Sequence, residues 1–305
     1  MNYEEITGGL NLPEILGRPK RGIIFSDLDG VWFDESRNFA PPQPEFVKSI
    51  ALARKSGFWV VLNSDTAPQT LADYANTLGA NRWVIAENGG VIFVPKNGYW
   101  FSNPSVAEKT ASFQEMAVKL LTQRNPESFV WKGDATPFIQ SESPLPEASP
   151  GQIVYLINTA RITSVGIYTR KASSKGILTI DATETQNTEV LLQNIIQQQN
   201  LQTSLVCKRY PEIGSCLVKD PRINKSDAVR YVIDQYGDTL SYWMVGDTVN
   251  DSIILKNGLI RIGAVGNAVM QLKNAAVQSG GIVAPSLIAE GADFIIRKIL
   301  EKEGI

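Results

Sequence analysis

Four short, fully apolar runs, each ending in polar or acidic residues, constrain this chain more than any other feature. Gly22 to Phe25 (GIIF) runs into Ser26, Asp27 and Asp29, and Phe58 to Leu62 (FWVVL) runs into Asn63, Ser64 and Asp65. Trp83 to Ala86 (WVIA) runs into Glu87-Asn88-Gly89-Gly90, and Tyr242 to Val245 (YWMV) into Gly246-Asp247. A strand apolar on both faces belongs in a parallel sheet covered by helices on both sides. The intervening segments are long enough to supply those helices. In such sheets the ligand lies outside the carboxyl ends of the strands, where all four runs deliver polar groups. The predicted fold is therefore α/β, a Rossmann-like doubly wound parallel sheet.

The middle of the chain breaks this rhythm. Ser105 to Arg124 and Thr185 to Gln199 read as helices, the second with Val190, Leu191, Ile195 and Ile196 at helical spacing. Phe129 to Gln140, Gln152 to Ile157, Ser164 to Arg170, Cys207 to Tyr210 and Ser215 to Lys219 read as strands, linked by Pro- and Ser-rich connections such as SESPLPEASP. This mixture predicts an α+β domain inserted over 98–219, with 1–97 and 220–305 forming a discontinuous catalytic core.

Among 305 residues there is no histidine, which excludes Ser-His-Asp hydrolysis and histidine zinc sites. Carboxylates must then carry the acid–base work. Cys207 and Cys216 are too few for a disulfide framework. A net charge of −2 gives no sign of a nucleic-acid binder. No apolar stretch reaches the roughly 18 residues of a membrane span, and MNYEEITGGL has no signal-peptide pattern. A cytoplasmic location is the expectation.

Asp27 and Asp29, two apart just past a strand in FSDLDGV, repel each other and call for a cation. A hard divalent ion with oxygen ligands, Mg2+, suits them. A DxD pair also occurs by chance and in nucleotide-binding glycosyltransferases. Asp247 and Asp251, with Asn250, end the fourth run in MVGDTVNDS. Asp251 is either a site carboxylate or a residue of a first helical turn, where negative charge is favoured. What separates these motifs from chance is their shared placement at strand ends some 220 positions apart.

Ser64 can donate to a phosphoryl oxygen or cap a helix. Lys225, in RINKSDAVRYVID, stands at a helix start, which disfavours a cation unless an anion lies nearby; otherwise it is a surface lysine. Glu87 and Asn88 either reach a leaving group or form the turn before Gly89-Gly90.

FSDLDGV, LNSDT, NKSDA and GDTVND, in this order, resemble the four motifs of the haloacid dehalogenase superfamily. ENGG and the tail IGAVGNAVMQLKNAA…EGADFIIRKIL resemble its Cof-type and mannosyl-3-phosphoglycerate phosphatase-like branch, and the insertion resembles a class-two cap. The resemblance implies Asp27 as nucleophile and Asp29 as acid, then base. It implies Mg2+ held by Asp27, the Asp29 carbonyl, Asp247 and, mostly through water, Asp251. It implies phosphoryl binding by Ser64, Lys225 and Asn250. Val31, NSDT and Ser226 depart from the usual pattern and bear on substrate fit. Asp29 itself separates the chain from the superfamily's ATPases and dehalogenases.

The expected function is hydrolysis of a small phosphate monoester, a sugar phosphate or phosphorylated sugar acid, with no nucleic-acid or membrane partner. The alternatives are a phosphotransferase or phosphomutase on the same core, and a non-catalytic sugar-phosphate sensor. Lys132, Arg170, Lys171, Lys208 and Arg209 are candidate specificity residues in the insertion, each otherwise a solvated surface charge.

Overall fold

A computed structural model describes residues 12–34, 44–95, 99–102, 104–140, 144–252 and 258–305. The chain divides into two compact units, Met1–Phe101 with Asn224–Ile305, and Ser102–Ile223. The first unit begins with α1 (Leu12–Leu16), β1 (Gly22–Ser26), α2 (Pro44–Lys55), β2 (Phe58–Leu62), α3 (Pro68–Thr77), β3 (Val84–Ala86), β4 (Val91–Val94) and β5 (Tyr99–Ser102). The second holds α4 (Pro104–Arg124), β6 (Phe129–Gly133), α5 (Thr136–Gln140), β7 (Ile153–Asn158), β8 (Ser164–Ala172), β9 (Leu178–Ile180), α6 (Ala182–Gln198), β10 (Val206–Tyr210) and β11 (Ser215–Lys219). The chain then completes the first unit with α7 (Lys225–Tyr236), β12 (Ser241–Gly246), β13 (Ile260–Ala264), α8 (Met270–Gln278), β14 (Ile282–Val283) and α9 (Ile288–Lys302).

In the first unit, five strands run parallel in the order β14-β13-β12-β1-β2. Alternate residues serve opposite faces. Ile23, Phe25, Val61 and Met244 pack with Val229, Val232 and Ile233 of α7 in one buried cluster. Ile24, Val60 and Trp243, fully buried, face the other side, the side of α2 and α9. This is the predicted α/β architecture.

Register then positions the site. Ser26 pairs with Val245, and the Asp27 N–H donates to the Val245 carbonyl at 2.9 Å. The first residue beyond β1 therefore emerges beside the end of β12, and Asp27 and Asp247 are neighbours because two apolar strands are in register.

The third apolar run differs from expectation. β3 pairs antiparallel with β4 in a separate sheet ordered β3-β4-β5, and meets the parallel sheet through a single bridge, Asn63 with Ile85. The chain reverses over Glu87–Gly90, so β4 takes up one edge of β3.

In the second unit the strands are ordered β10-β11-β8-β7-β6, with β9 on β8. All these pairs are antiparallel except β6 with β7. One face packs α4 and α6 through Phe113, Leu121, Leu192 and Ile195 against Tyr155 and Ile167. The other carries Val154, Leu156, Tyr168 and Ala172 beneath Ala135, Leu145 and Ala148. Two expectations are corrected. The strand foreseen over 129–140 stops at Gly133; the Asp134 carboxylate accepts from the Thr136 N–H at 3.0 Å and starts α5. In α6 Val190 faces solvent, and Leu192 fills the core instead. Cys207 and Cys216 are free thiols. Among the described residues no helix is long and apolar enough to cross a membrane.

Candidate active site

Asp27, Asp247 and Asp251 are all buried, and each offers a carboxylate oxygen within 4.8 Å of the others'. Asp27 and Asp247 are brought together by the β1–β12 register. Asp251 arrives through a tight turn: a 3-10 segment, Val249–Asp251, follows Thr248. One Asp251 oxygen accepts from the Asp247 N–H at 3.3 Å, the Thr248 N–H at 3.2 Å and the Thr248 hydroxyl at 3.1 Å. Asp251 thus caps the turn with one oxygen and turns the other toward the cluster. The onward helix foreseen from Thr248 would run into 253–257, outside the described residues.

The other Asp251 oxygen accepts from the Lys225 ammonium at 2.8 Å, and Lys225 also meets Asp27 Oδ2 at 2.6 Å. Asn224 caps α7 by accepting from the Asp227 N–H at 2.9 Å, which seats Lys225 as the first helical residue. Lys225 is buried, so its reading as a surface lysine is set aside. Burial alone would lower its pKa, but Asp251 and Asp27 outweigh that and raise it above the ordinary lysine value. It is charged at neutral pH.

Asp27 feels the opposite balance. Burial first, and then the Asp251 carboxylate, raise its pKa well above the usual range, and Lys225 pulls it down. The Leu28 N–H donates to Asp27 Oδ1 at 2.8 Å and fixes the carboxylate's rotation. Two of the three clustered carboxylates pair with the Lys225 ammonium, which leaves two negative charges in the group when all are ionised. Hard oxygen donors with that excess fit a divalent cation such as Mg2+.

Gly30 makes the approach possible. Its φ is +71°, and a Cβ there would lie 2.1 Å from Asp247 Oδ2. Gly30→Ala should therefore both strain the backbone, by about 1–2 kcal/mol, and push Asp247 from the cluster. We expect lower affinity for Mg2+, measured by calorimetry, in a variant that still folds.

Asp29 is part-buried and pairs as a bridge with Phe33 across the Gly30 turn. Ser64 is buried at the end of β2, its hydroxyl 3.1 Å from that of Thr66. The ENGG turn folds back onto this loop: the Glu87 N–H donates to the Thr66 carbonyl at 3.2 Å and the Asn88 N–H to the Ser64 carbonyl at 3.1 Å. Glu87 and Asn88 are buried with φ of 50° and 57°. Such non-glycine conformations are costly and concentrate at functional sites. Gly89 lies so close to the start of α7 that a Cβ would sit 2.4 Å from the Asn224 carbonyl oxygen. The turn is thereby wedged between the Ser64 loop and the helix that carries Lys225. Asn250 is exposed, and among the described residues no hydrogen bond ties it to the acidic cluster.

Two supporting residues escaped the sequence reading. Thr248 holds Asp251, and its place in GDTVND was the available signal. Asn267 donates to the Gly30 carbonyl at 2.8 Å and accepts from the Ile288 N–H at 2.8 Å, tying the Asp29 loop to the C-terminal segment. Only the GNAV tail hinted at it.

A family model described as haloacid dehalogenase-like hydrolase matches residues 24–280. The chain belongs to this family. The haloacid dehalogenase-like recognition made on the four motifs is thus borne out. Solved structures give the same fold. A haloacid dehalogenase-like hydrolase from Bacteroides thetaiotaomicron is 17% identical with TM-score 0.58, over 92% of this chain and 100% of that one. A Thermoplasma acidophilum protein is 20% identical with TM-score 0.54, over 92% and 97%. A trehalose-6-phosphate phosphatase related protein is 15% identical with TM-score 0.55, over 93% and 98%. No curated protein matches this sequence.

Proposed function

We propose that this haloacid dehalogenase-like hydrolase is a Mg2+-dependent phosphatase that cleaves a small phosphate monoester through a phosphoryl group carried on Asp27. The observation that carries the reading is a buried carboxylate, Asp27, held by Leu28 N–H and Lys225, with a second, more accessible carboxylate, Asp29, two residues on.

In the first step an Asp27 oxygen bonds to phosphorus, the bond from phosphorus to the ester oxygen breaks, and Asp29 gives that oxygen its proton. In the second, Asp29 takes a proton from water, the water oxygen bonds to phosphorus, and the Asp27–phosphorus bond breaks. Inorganic phosphate leaves and both carboxylates return to their starting states. Covalent catalysis by a carboxylate needs no histidine, which suits a chain without one. Lys225, Ser64 and Asn250 bind the phosphoryl oxygens, and Glu87 and Asn88 border the leaving group. Asp27, the Asp29 carbonyl, Asp247 and, mostly through water, Asp251 would hold Mg2+, which would neutralise charge on the phosphoryl oxygens. Residues 1–97 and 220–305 form the catalytic core, and the inserted domain is a cap that selects the alcohol. A cytoplasmic location belongs to the same reading.

Hydrolysis of an aryl phosphate should stop when a chelator removes divalent ions and return on adding Mg2+, with free phosphate as the product. Undiminished turnover in excess chelator would remove the metal from the mechanism. Transfer to an added alcohol in place of phosphate release would favour a phosphotransferase.

A further inference from the structure

Asn63 is the first polar residue after β2, and it is fully buried, 0% exposed. Among the described residues it is the one carboxamide buried with neither end bonded: Nδ2 and Oδ1 both lack a hydrogen-bond partner. An amide that leaves water and gains no partner costs stability. Such groups are few in native folds, and a catalytic role is one reason they persist.

Register shows what Asn63 faces. Its N–H donates to the Ser26 carbonyl at 2.8 Å, which carries the β1–β2 ladder one step past the Ser26–Leu62 pair and sets Asn63 beside Asp27. Alternate residues of a strand share a face. Asn63 follows Val61 by two and Asp27 follows Phe25 by two, and Val61 and Phe25 both lie in the cluster under α7. On its other side Asn63 bridges Ile85, a member of the same cluster. Lys225, which opens α7, meets Asp27 on this face. Asn and Asp side chains have the same reach, and adjacent strands lie about 4.8 Å apart. A turn of the amide about its own side-chain bonds therefore brings Nδ2 to an Asp27 oxygen.

In the resting enzyme Asp27 already has its donors, the Leu28 N–H on Oδ1 at 2.8 Å and the Lys225 ammonium on Oδ2 at 2.6 Å. An adduct on Asp27 changes that balance. Lys225 is then drawn to the phosphoryl oxygens, and the Asp27 carboxyl loses its charged donor. When water displaces that carboxyl from phosphorus, negative charge returns to it, and a donor waiting beside it favours the departure.

We propose that Asn63 is a positioning residue for the nucleophile: its carboxamide, idle in the resting fold, donates to the Asp27 carboxyl while Asp27 carries the phosphoryl group. The proposal deepens the phosphatase reading and rests on it, since without an adduct on Asp27 the amide has no partner to take.

Asn63→Leu tests this, because leucine keeps the branched shape and removes both polar ends. Its Tm in chelator should rise by about 2–4 °C, as an unpartnered amide gives way to an apolar group. Its kcat on an aryl phosphate with Mg2+ should fall by about tenfold to a hundredfold, the range of one hydrogen bond to a charged group. Two calorimetric Kd values locate the loss without turnover. Beryllium fluoride with Mg2+, which bonds to a carboxylate in the shape of a phosphoryl group, should bind more weakly by about the same factor. Inorganic phosphate, which forms no bond to Asp27, should keep its wild-type Kd. Ser49, on α2 across the sheet, also buries an unpartnered hydroxyl; Ser49→Ala should leave kcat and both Kd values unchanged. If Asn63→Leu does not fold, Asn63→Ala is read by kcat and the two Kd values.

The proposal is overturned if Asn63→Leu folds with a clearly lower Tm, which would make the amide structural, or if kcat and the beryllium fluoride Kd stay at wild-type values. A wild type that hydrolyses esters and binds beryllium fluoride, matched by its Asn63 variants, overturns this proposal alone. A wild type that does neither removes the phosphatase and this proposal with it. If it binds beryllium fluoride without hydrolysing esters, the Kd ratio decides.

Discussion

Asp27→Asn should abolish phosphate release while leaving the protein as stable as before, or more so. The loss follows from chemistry. An amide oxygen is a poor nucleophile, and removing a covalent nucleophile costs on the order of a millionfold in well-studied hydrolases. A residual rate of about a thousandth or less is the expectation here. The stability follows from electrostatics. Asp27 is buried, and both burial and the Asp251 carboxylate oppose its negative charge. Asn keeps the volume and an oxygen for the Leu28 N–H, which now donates to Asp27 Oδ1. It removes a charge the fold holds at a cost, the usual relation between stability and function at such sites. Thermal unfolding in chelator, together with a phosphate-release assay, checks both halves. A large drop in Tm would show that Asp27 is structural.

Lys225→Met should do the reverse and unfold the protein readily. The Lys225 ammonium lies 2.6 Å from Asp27 and 2.8 Å from Asp251, with all three side chains buried. Methionine preserves most of the volume but leaves two buried carboxylates facing each other. Breaking a buried ion pair from one side costs about 3–5 kcal/mol, and here two partners are stranded. The expected result is a marked fall in the urea midpoint measured in chelator. Mg2+ should recover part of it, because a ligand bound only by the folded state stabilises it by mass action. Activity should fall as well, since Lys225 faces the nucleophile. An unchanged midpoint would mean that the cluster is solvated in solution and Lys225 carries no structural load.

These paired variants also show where sequence reasoning reaches. A run such as GIIF followed by Asp27, and YWMV followed by Gly246 and Asp247, names two strands apolar on both faces. Register between parallel strands does the rest, so the meeting of Asp27 with Asp247 was legible in the sequence. The lysine at the start of α7 was legible as a cation in want of an anion, though not that it would span Asp27 and Asp251. The WVIA run was misleading for a definite reason: apolar content reports burial, not which edge a strand pairs with, and the ENGG reversal gives β3 to β4. The left-handed backbone at Glu87 and Asn88 has no sequence mark beyond the glycines that follow. Arg170 was named among the basic residues but not singled out, for a related reason. In a list of basic residues nothing distinguishes an arginine at a crowded position in β8 from lysines in solvent, and only burial without a counter-charge sets it apart.

The Asp29 variant gives access to the covalent step itself. With an aryl phosphate the leaving group departs without a proton, so Asp29→Asn should still phosphorylate Asp27, but water would lack its base and the adduct should accumulate. Acid quenching followed by peptide mass spectrometry reads this directly. The account predicts one phosphoryl group per chain, on the peptide that contains Asp27, and a burst of aryl alcohol equal to the enzyme. A phosphoryl group on another residue, or steady hydrolysis with no adduct at all, would contradict it.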